Sequence, residues 1–358
     1  MTQSFRNILI IKPSSLGDVI LALPALTALR TALPDAKISW LIRPEFAPLL
    51  HGHPHLDQII PFDRNYLAKA WFNPAALADL LALIRLLRRR NFDAVFDLQG
   101  LFRSGVFAWL SRSKKRFGMA NAREFATIFY TDKITQTTDC VHLVDFFLKI
   151  VRTAGAKVSF PEFIVPVDPD AAKTAKQLLA SNQIADSNYA VLVPGARRKY
   201  KCWPIDHFAQ LAEQIYNNFH LPIVAVGAHP EKQLIEQLKA LSTVPIANLA
   251  GQTSLPELVA IIKNAALVIS NDTGPGHIAA ALHKPLVMMF DRINPARLAP
   301  YKRDHCVAAV MPHDRGMEIK SSDPKYSIKT ITVQEVFQKA RQQTEHQTQP
   351  TSEPTLPP

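Results

Sequence analysis

The feature that most constrains this chain is a repeated alternation of short apolar runs with longer helical segments. Asn7–Ile11 and Lys37–Ile42 are short and mostly apolar, as expected of strands buried on both faces. Pro74–Arg90 has helical periodicity instead. The residues predicted on its apolar face are Leu77, Leu80, Leu81, Ile84 and Leu87. Strands separated by helices form right-handed β-α-β units, so the pattern predicts parallel sheets with helices on both faces.

The same alternation restarts after Phe160–Pro169, a proline-spaced stretch that we interpret as a linker. A length of 358 residues suits two domains of about 150 each. We therefore predict an α/β chain with two Rossmann-like domains, residues 1–165 and 166–342, whose parallel sheets face a central cleft. The last helix could pack back onto the first domain. Residues 343–358 are rich in Gln, Thr and Pro and are predicted to be disordered.

Composition narrows the class of protein further. At 47% hydrophobic and 20% charged residues, the chain is neither disordered nor fibrous. Its three cysteines, Cys140, Cys202 and Cys306, are odd in number and far apart, which argues against a disulfide framework. The apolar core near the N-terminus is too short for a signal peptide, and no apolar run reaches the roughly 18 residues of a membrane span. We expect a cytoplasmic protein.

The charge balance indicates anionic partners. Lys and Arg number 41 against 30 Asp and Glu, a formal net charge of +11. Such an excess favours nucleic acid, an acidic membrane surface or a phosphorylated substrate. No zinc-finger, RRM or recognition-helix pattern accompanies it, so nucleic acid is not expected as a partner.

Lys12–Asp18 directly follows the first predicted strand, where ligands bind in open α/β sheets. Asp18 beside Gly17 could present a carboxylate as a general base. Alternatively, Ser14, Ser15 and Asp18 cap the helix that follows. Both interpretations remain open on spacing alone.

Asn271–His277 lies at another strand-to-helix junction. Backbone N–H groups at a helix start bind phosphate, Thr273 adds a hydroxyl, and Gly274 and Gly276 allow close approach of the backbone. The alternative is an N-cap followed by a tight turn. The segment matches neither the Walker loop nor G-x-G-x-x-G.

Further cations follow other strands. The loop Pro194–Pro204, which includes Ala196, Arg197 and Lys201, could neutralise a diphosphate leaving group, or it is a solvated basic loop. Arg103 and Arg123 could hold an anionic acceptor, or each makes a surface ion pair. Asp168-Pro169-Asp170 is interpreted as a turn, and His51, His53 and His55 as a polar loop without a metal.

Together these segments resemble a known family. Lys12–Asp18 with Leu23-Pro24-Ala25-Leu26 is similar to the N-terminal signature of the ADP-heptose:lipopolysaccharide heptosyltransferases of glycosyltransferase family 9, and Asp272–His277 to their nucleotide-binding element. The similarity spans most of residues 7–340. Finer matches favour the heptosyltransferase I branch. They are Lys69–Phe72, Asp97–Leu101, Ala122-Arg123-Glu124 with Phe129-Tyr130, and Lys201–Pro204.

The resemblance implies a GT-B fold and inverting transfer, without a metal or other cofactor, of heptose from ADP-L-glycero-D-manno-heptose to Kdo-lipid A in a Gram-negative bacterium. It implies that Asp18 is the base and that Lys201 lies beside the donor phosphates. The implied donor contacts are Asp272, Thr273, Gly274, His277, Ala196 and Arg197. The implied acceptor side comprises Ser14, Ser15, Gly17, Arg123, Arg103, Arg64 and Lys69. The positive charge suits a peripheral location on the cytoplasmic face of the inner membrane.

Three other functions remain open. A heptosyltransferase of type II or III would act on a longer core. A GT-B-like sugar-nucleotide epimerase or hydrolase would consume sugar nucleotide without an acceptor. A non-catalytic binder of nucleotide or membrane would consume none.

Overall fold

The computed structural model describes residues 5–153, 155–156, 161–312, 316 and 318–348. The chain divides into two compact units, Met1–Asp168 and Pro169–Pro358, close to the boundary predicted at residue 165. Each unit contains one six-stranded sheet, and all strand pairings within the two sheets are parallel. The predicted α/β class with two Rossmann-like domains is therefore confirmed.

The first unit alternates strands and helices along its whole length. Its strands are β1 (Asn7–Ile11), β2 (Lys37–Ile42), β3 (Gln58–Pro61), β4 (Ala94–Asp97), β5 (Lys115–Met119) and β6 (Asp132–Ile134). Its helices are α1 (Leu16–Ala32), α2 (Arg64–Leu67), α3 (Pro74–Arg89), α4 (Phe102–Leu110) and α5 (Leu143–Arg152). The strand order is β3-β2-β1-β4-β5-β6.

The second unit repeats this arrangement. Its strands are β7 (Ala190–Val193), β8 (Ile223–Ala225), β9 (Ile246–Asn248), β10 (Leu267–Asn271), β11 (Leu286–Met289) and β12 (Val307–Ala308). Its helices are α6 (Pro169–Ser181), α7 (Ile205–Phe219), α8 (Lys232–Leu241), α9 (Leu255–Asn264), α10 (Gly274–Ala281), α11 (Pro295–Leu298) and α12 (Val333–Thr348). The strand order is β12-β11-β10-β7-β8-β9, and α12 packs on α7 and on strands β10 to β12.

Both sheets have the strand order of the dinucleotide-binding fold, counted within each unit. In such sheets the strand order reverses at one point, called the topological switch point. There the loops that follow two adjacent strands run in opposite directions and leave a crevice in which a ligand can bind. That switch point lies between β1 and β4 in the first unit and between β7 and β10 in the second. The loops after these four strands are therefore where chemistry is expected.

Burial explains why the central elements form. Four of the five residues of β1 are buried, and α1 is buried over Val19–Leu29, with α5 packed against it. A helix that is apolar all round is stable only in such an enclosed position.

The outer helix α3 differs from its predicted pattern. Ala76, Leu83 and Leu87 are buried, but Leu77 and Leu81 are 44% and 41% exposed. The buried stripe follows positions 76, 80, 83 and 87, with Leu80 packed at its side against the core. Leu77 and Leu81 belong to the adjacent stripe of the helix, which faces solvent. The helix α3 therefore has more apolar residues than those that pack against the core.

Three boundaries correct the sequence predictions. Asp168-Pro169-Asp170 is not a turn, because α6 begins at Pro169, with proline in its first turn and Asp170 close to its positive end. The sequence of Cys140–Ala154, which stops before Gly155, predicts a helix over the whole segment, but the helix spans only Leu143–Arg152. Residue 154 lies outside the described residues. The predicted disordered tail begins too early, because α12 continues to Thr348; residues 349–358 lie outside the described residues.

Candidate active site

Lys12–Asp18 connects the end of β1 to the first turn of α1. Ser15 is the N-cap residue, and its backbone N–H and its hydroxyl both donate to Asp18 Oδ2 at 3.0 Å. Asp18 therefore caps α1 by satisfying a backbone N–H that has no partner in the helix. The same contacts hold the carboxylate, 30% exposed, at the carboxyl edge of the sheet. Capping and service as a base are thus compatible roles for one side chain.

Lys12 lies beneath this carboxylate. Its side chain is only 4% exposed, and Nζ is 3.7 Å from Asp18 Oδ2 and 5.6 Å from the centre of the Phe147 ring. Burial lowers the pKa of Lys12, although the negative charges of Asp18 and Asp97 oppose that shift. Lys12 is therefore a fixed partner for Asp18, a role that its position in the sequence does not predict.

Asp97 ends β4, next to β1, and is completely buried. Its Oδ1 accepts from the backbone N–H groups of Gln99 and Gly100 at 2.9 and 3.1 Å, and its Oδ2 accepts from the Tyr130 hydroxyl at 2.6 Å. Burial raises the pKa of Asp97, against the effect of these hydrogen bonds. Its position at the end of a buried strand was the available sequence signal for this structural acid.

The loops after β1 and β4 are tied together, since Ser14 N–H donates to Gln99 Oε1 at 3.3 Å. Gly17 is buried in the first turn of α1. The exposed cations Arg64, Lys69, Arg103 and Arg123 follow the carboxyl ends of β3, β4 and β5. Carboxyl ends of parallel strands share one edge of a sheet, so the predicted acceptor-side residues all follow the edge that carries Asp18.

In the second unit, the structure brings together three residues predicted on the donor side. Lys201 Nζ lies 2.5 Å from Asp272 Oδ2, and His277 Nε2 lies 3.3 Å from Asp272 Oδ1. Burial acts to raise the pKa of Asp272, but the contacts with His277 and Lys201 outweigh it, and the pKa is lowered overall. Asp272 is therefore an ionised anchor that orients both neighbours.

The scaffold around this trio is fixed by Asn271, the last residue of β10. Its side chain accepts from Trp203 N–H at 3.1 Å and donates to the Pro194 carbonyl at 2.8 Å, so it clamps both ends of the loop after β7. Trp203 Nε1 in turn donates to the Ile331 carbonyl at 2.9 Å. The clamp places Lys201 beside the start of α10.

The start of α10 has features of an anion site. Thr273 is its N-cap residue but makes no side-chain cap hydrogen bond; its hydroxyl lies 3.3 Å from both the Asn271 carbonyl and Ser270 Oγ. The N–H of Gly274 and the positive helix end are available to a negative ligand. Gly276 lets the helix approach the sheet, because a Cβ there would lie 2.8 Å from Ser270 Oγ.

The basic loop itself is mostly exposed. Arg197 is exposed and Ala196 is half-buried; the Ala196 carbonyl lies 3.9 Å from Cys202 Sγ. Gly195 packs against Glu231, whose carboxylate accepts from Ala228 N–H at 2.7 Å. The described residues contain no group of three His, Cys, Asp or Glu side chains placed to hold a metal. Among the same residues, none of the helices could cross a bilayer.

The two lysine–aspartate pairs are oriented oppositely. In the first unit the lysine is buried and the aspartate is the more exposed member, at 4% and 30%. In the second unit the aspartate is buried and the lysine is the more exposed, at 6% and 20%. One switch point thus leaves a carboxylate accessible, and the other leaves an ammonium group accessible.

Comparison with known proteins gives a consistent assignment. The family model for glycosyltransferase family 9 (heptosyltransferase) matches residues 80–326. Lipopolysaccharide core heptosyltransferase OpsX of Haemophilus influenzae is 26% identical over 312 residues, 86% of this chain and 86% of that protein. Lipopolysaccharide heptosyltransferase 1 of Escherichia coli K12 is 27% identical over 308 residues, 84% of this chain and 92% of that protein.

The fold agrees as well. The structure of E. coli heptosyltransferase WaaC with ADP is similar at a TM-score of 0.75 and 25% identity, covering 94% of this chain and 99% of that one. The same enzyme with ADP-2-deoxy-2-fluoro heptose matches at 0.73 and 26%, with the same coverage. The predicted GT-B fold and glycosyltransferase class are thereby confirmed. Because the family model matches more than half of its length, this chain belongs to glycosyltransferase family 9, the heptosyltransferases.

Proposed function

We propose that this enzyme transfers L-glycero-D-manno-heptose from its ADP derivative to the Kdo region of lipid A, with inversion at the anomeric carbon. The observation that carries the proposal is the pair of opposite switch points, one presenting Asp18 and the other Lys201. Glycosyl transfer needs a base for the acceptor and a cation for the leaving group. The names of the relatives support heptose as the sugar and lipopolysaccharide as the product. The L-glycero-D-manno configuration and the Kdo acceptor follow from the resemblance of the motifs to the family.

On the donor side, the second unit stabilises the departing diphosphate. As the bond between the anomeric carbon and the phosphate oxygen breaks, its electron pair leaves with ADP, and negative charge grows on that oxygen. Lys201, held by Asp272, and the N-terminus of α10 at Thr273 and Gly274 present positive charge to it. His277, 3.3 Å from Asp272, helps to orient the same carboxylate.

On the acceptor side, the first unit activates the nucleophile. Asp18 takes the proton of the acceptor hydroxyl as its oxygen bonds to the anomeric carbon. Ser15 and Lys12 hold the carboxylate in place. Arg64, Lys69, Arg103 and Arg123 attract the carboxylates and phosphates of Kdo-lipid A.

We also propose that the enzyme works without a metal, because Lys201 and the start of α10 already supply the positive charge that a metal would bring. Transfer is then expected at an unchanged rate in excess EDTA. A rate that collapses in EDTA and returns with a divalent cation contradicts this proposal.

The acceptor is a lipid, so we also propose that the enzyme is located peripherally on the cytoplasmic face of the inner membrane.

Mass spectrometry of heptose-free Kdo-lipid A, incubated with the purified protein and ADP-heptose, tests the function. A gain of one heptose on the Kdo region supports the proposal. ADP binding without that gain favours a type II or III enzyme that needs a longer core. Loss of donor in the absence of acceptor favours an epimerase or hydrolase, and binding without consumption favours a non-catalytic protein.

A further inference from the structure

The outer face of the first unit carries large apolar side chains that its core does not use. Trp71 and Phe72, which precede α3, are 85% and 59% exposed, and their ring centroids lie 4.7 Å apart in an edge-to-face arrangement. Leu77 and Leu81 on α3 are also exposed. An exposed cluster of this kind indicates a surface that meets an apolar partner.

Basic residues continue the same face. Leu77, Leu81 and Arg85 are spaced four residues apart and Arg88 follows three later, so all four project from one side of α3. The segment from Arg64 to Arg90 contains six basic residues and one acidic residue, Asp79. The helical repeat places Asp79 on a different side, where it accepts a hydrogen bond from the Tyr66 hydroxyl at 2.9 Å. The exposed stripe is therefore apolar at one end and cationic at the other.

The face extends to the end of α4. A depression of about 260 Å³ is lined by Arg88, Trp109, Leu110, Arg112 and Arg116. Trp109 is 55% exposed. Arg116 is held in place by hydrogen bonds from Nε to the Phe129 carbonyl at 2.6 Å and from Nη1 to the Ser113 carbonyl at 2.5 Å. Three arginines around an indole match an anionic headgroup at an interface, where tryptophan is favoured.

We propose that this α3–α4 surface, formed by Trp71, Phe72, Leu77, Leu81, Arg85, Arg88, Trp109 and Arg112, docks on an anionic phospholipid bilayer. The aromatic and leucine side chains enter the boundary between headgroups and acyl chains, and the arginines bind lipid phosphates. The depression around Trp109 takes one such phosphate. This proposal deepens the peripheral membrane location in the proposed function and names the surface responsible.

Co-sedimentation with vesicles tests the surface. We expect the protein to pellet with phosphatidylglycerol–phosphatidylethanolamine vesicles and not with phosphatidylcholine alone. Arg85→Glu/Arg88→Glu should weaken binding at least about ten-fold, since each basic residue near an anionic surface contributes attraction. Trp71→Ala/Phe72→Ala should weaken it as well. Binding that these variants leave unchanged overturns the proposal.

A matched control separates this surface from net charge. Lys173→Glu/Lys263→Glu changes the charge equally at exposed positions of the second unit and should leave vesicle binding near the wild-type level. An equal loss in this control overturns the proposal. Arg85→Glu/Arg88→Glu should still transfer heptose to a deacylated, soluble acceptor, because that acceptor requires no membrane docking. If the proposed reaction itself is wrong, neither the wild type nor any variant transfers heptose. The two failures are therefore distinguishable.

Discussion

At the scale of single residues, both units place a lysine–aspartate pair at the switch point but leave opposite members accessible. The buried member of the pair is Lys12 in the first unit and Asp272 in the second, so the accessible member is an aspartate in one unit and a lysine in the other. The sequence predicted Asp18, Lys201 and Asp272 separately, because each follows a strand. It did not show that Lys201 and Asp272 meet, since 71 residues separate them and their contact depends on β7 lying beside β10.

Lys12, Asp97 and Tyr130 lie in segments that resemble the family, but the sequence predicted no role for them, for a related reason. Their importance comes from burial, which the sequence does not show. A lysine that follows a strand is expected to be solvated, but in the structure Lys12 is only 4% exposed. The tyrosine lies 33 residues from the aspartate it contacts, and no spacing rule connects them.

The substitution Asp18→Asn separates the two roles of this side chain. Its amide oxygen can still accept from Ser15 N–H, so we expect α1 to keep its cap. The buried Lys12 loses its anionic partner, so the thermal midpoint should fall although the fold is kept. Turnover should fall by about 10²–10⁴, the usual contribution of a general base. Steady-state heptose transfer and thermal unfolding measure both effects. Asp18→Ala, which also loses the cap, should add a loss of stability. A near-normal rate in the Asn variant rules out Asp18 as the base.

Lys201→Met should weaken ADP binding by about ten-fold to a hundred-fold, the value of a hydrogen bond to a charged group. It also leaves the buried Asp272 without its cation. Lys201 helps to lower the pKa of Asp272 in the folded chain, so their contact stabilises the folded state. This stabilisation is fully present above the pKa that Asp272 has in the unfolded chain. It is lost as the pH falls through the lower pKa that Asp272 has in the folded chain. Calorimetry with ADP and urea unfolding at neutral pH should both show the loss. The exposed neighbour Lys199 gives the control, and Lys199→Met should change neither quantity. Equal ADP affinities for Lys201→Met and wild type contradict the phosphate role.

His53 predicts how stability responds to acid. It is 4% exposed, and burial, aided by nearby His55, lowers its pKa to about 4. The unfolded chain therefore binds a proton at this residue that the folded chain does not, between pH 6.5 and about 4. Stability should rise with pH across that window, by about 2 kcal/mol between about pH 5 and pH 7 from this residue alone.

Urea unfolding of His53→Asn at these two pH values is the test, because the amide can still accept from His55 N–H, as His53 Nδ1 does at 3.1 Å. The variant should lose that part of the pH dependence. His51→Asn, at an exposed neighbour, should keep it. Identical slopes for His53→Asn and wild type exclude His53 as the source.

At the scale of secondary-structure elements, sequence periodicity located the central strands and long helices well. It was less informative for α3, where the predicted apolar face of five residues proved wider than the buried stripe. Periodicity reports which residues are apolar, whereas burial depends on what a helix packs against. The sequence does not predict the start of α6, because Pro169 ends a proline-spaced stretch typical of a linker although proline is also favoured in the first turn of a helix.

The close approach of α10 to its sheet yields a prediction at this scale. In Gly276→Ala the new Cβ would lie 2.8 Å from Ser270 Oγ and 3.2 Å from Met288 Cε. The helix must shift, which we expect to cost about 1–3 kcal/mol of stability and to weaken ADP binding as its N-terminus moves. Ser270→Ala/Gly276→Ala removes the nearest atom and should restore part of both. Unfolding and ADP titration of the single and double variants measure this; unchanged ADP affinity in Gly276→Ala argues against a phosphate site at this helix start.

At the scale of the whole molecule, the two units share one strand order and one location for their functional loops. The sequence predicted two Rossmann-like halves because the alternation of strands and helices restarts after the linker. The sequence predicted the reaction only through the resemblance of its motifs to a known family. Enzymes with this fold catalyse many reactions, and only particular loop residues distinguish them. The location of the exposed α3–α4 surface required the structure.

The distribution of tryptophan gives the enzyme its own optical probes. The chain has four tryptophans, and they lie at three functional elements. Trp40 donates to the Lys12 carbonyl beneath Asp18, Trp203 lies in the loop clamped beside Lys201, and Trp71 and Trp109 are exposed on the α3–α4 surface. Intrinsic fluorescence of single-tryptophan variants can therefore follow acceptor, nucleotide and vesicle binding as separate signals, without an attached dye.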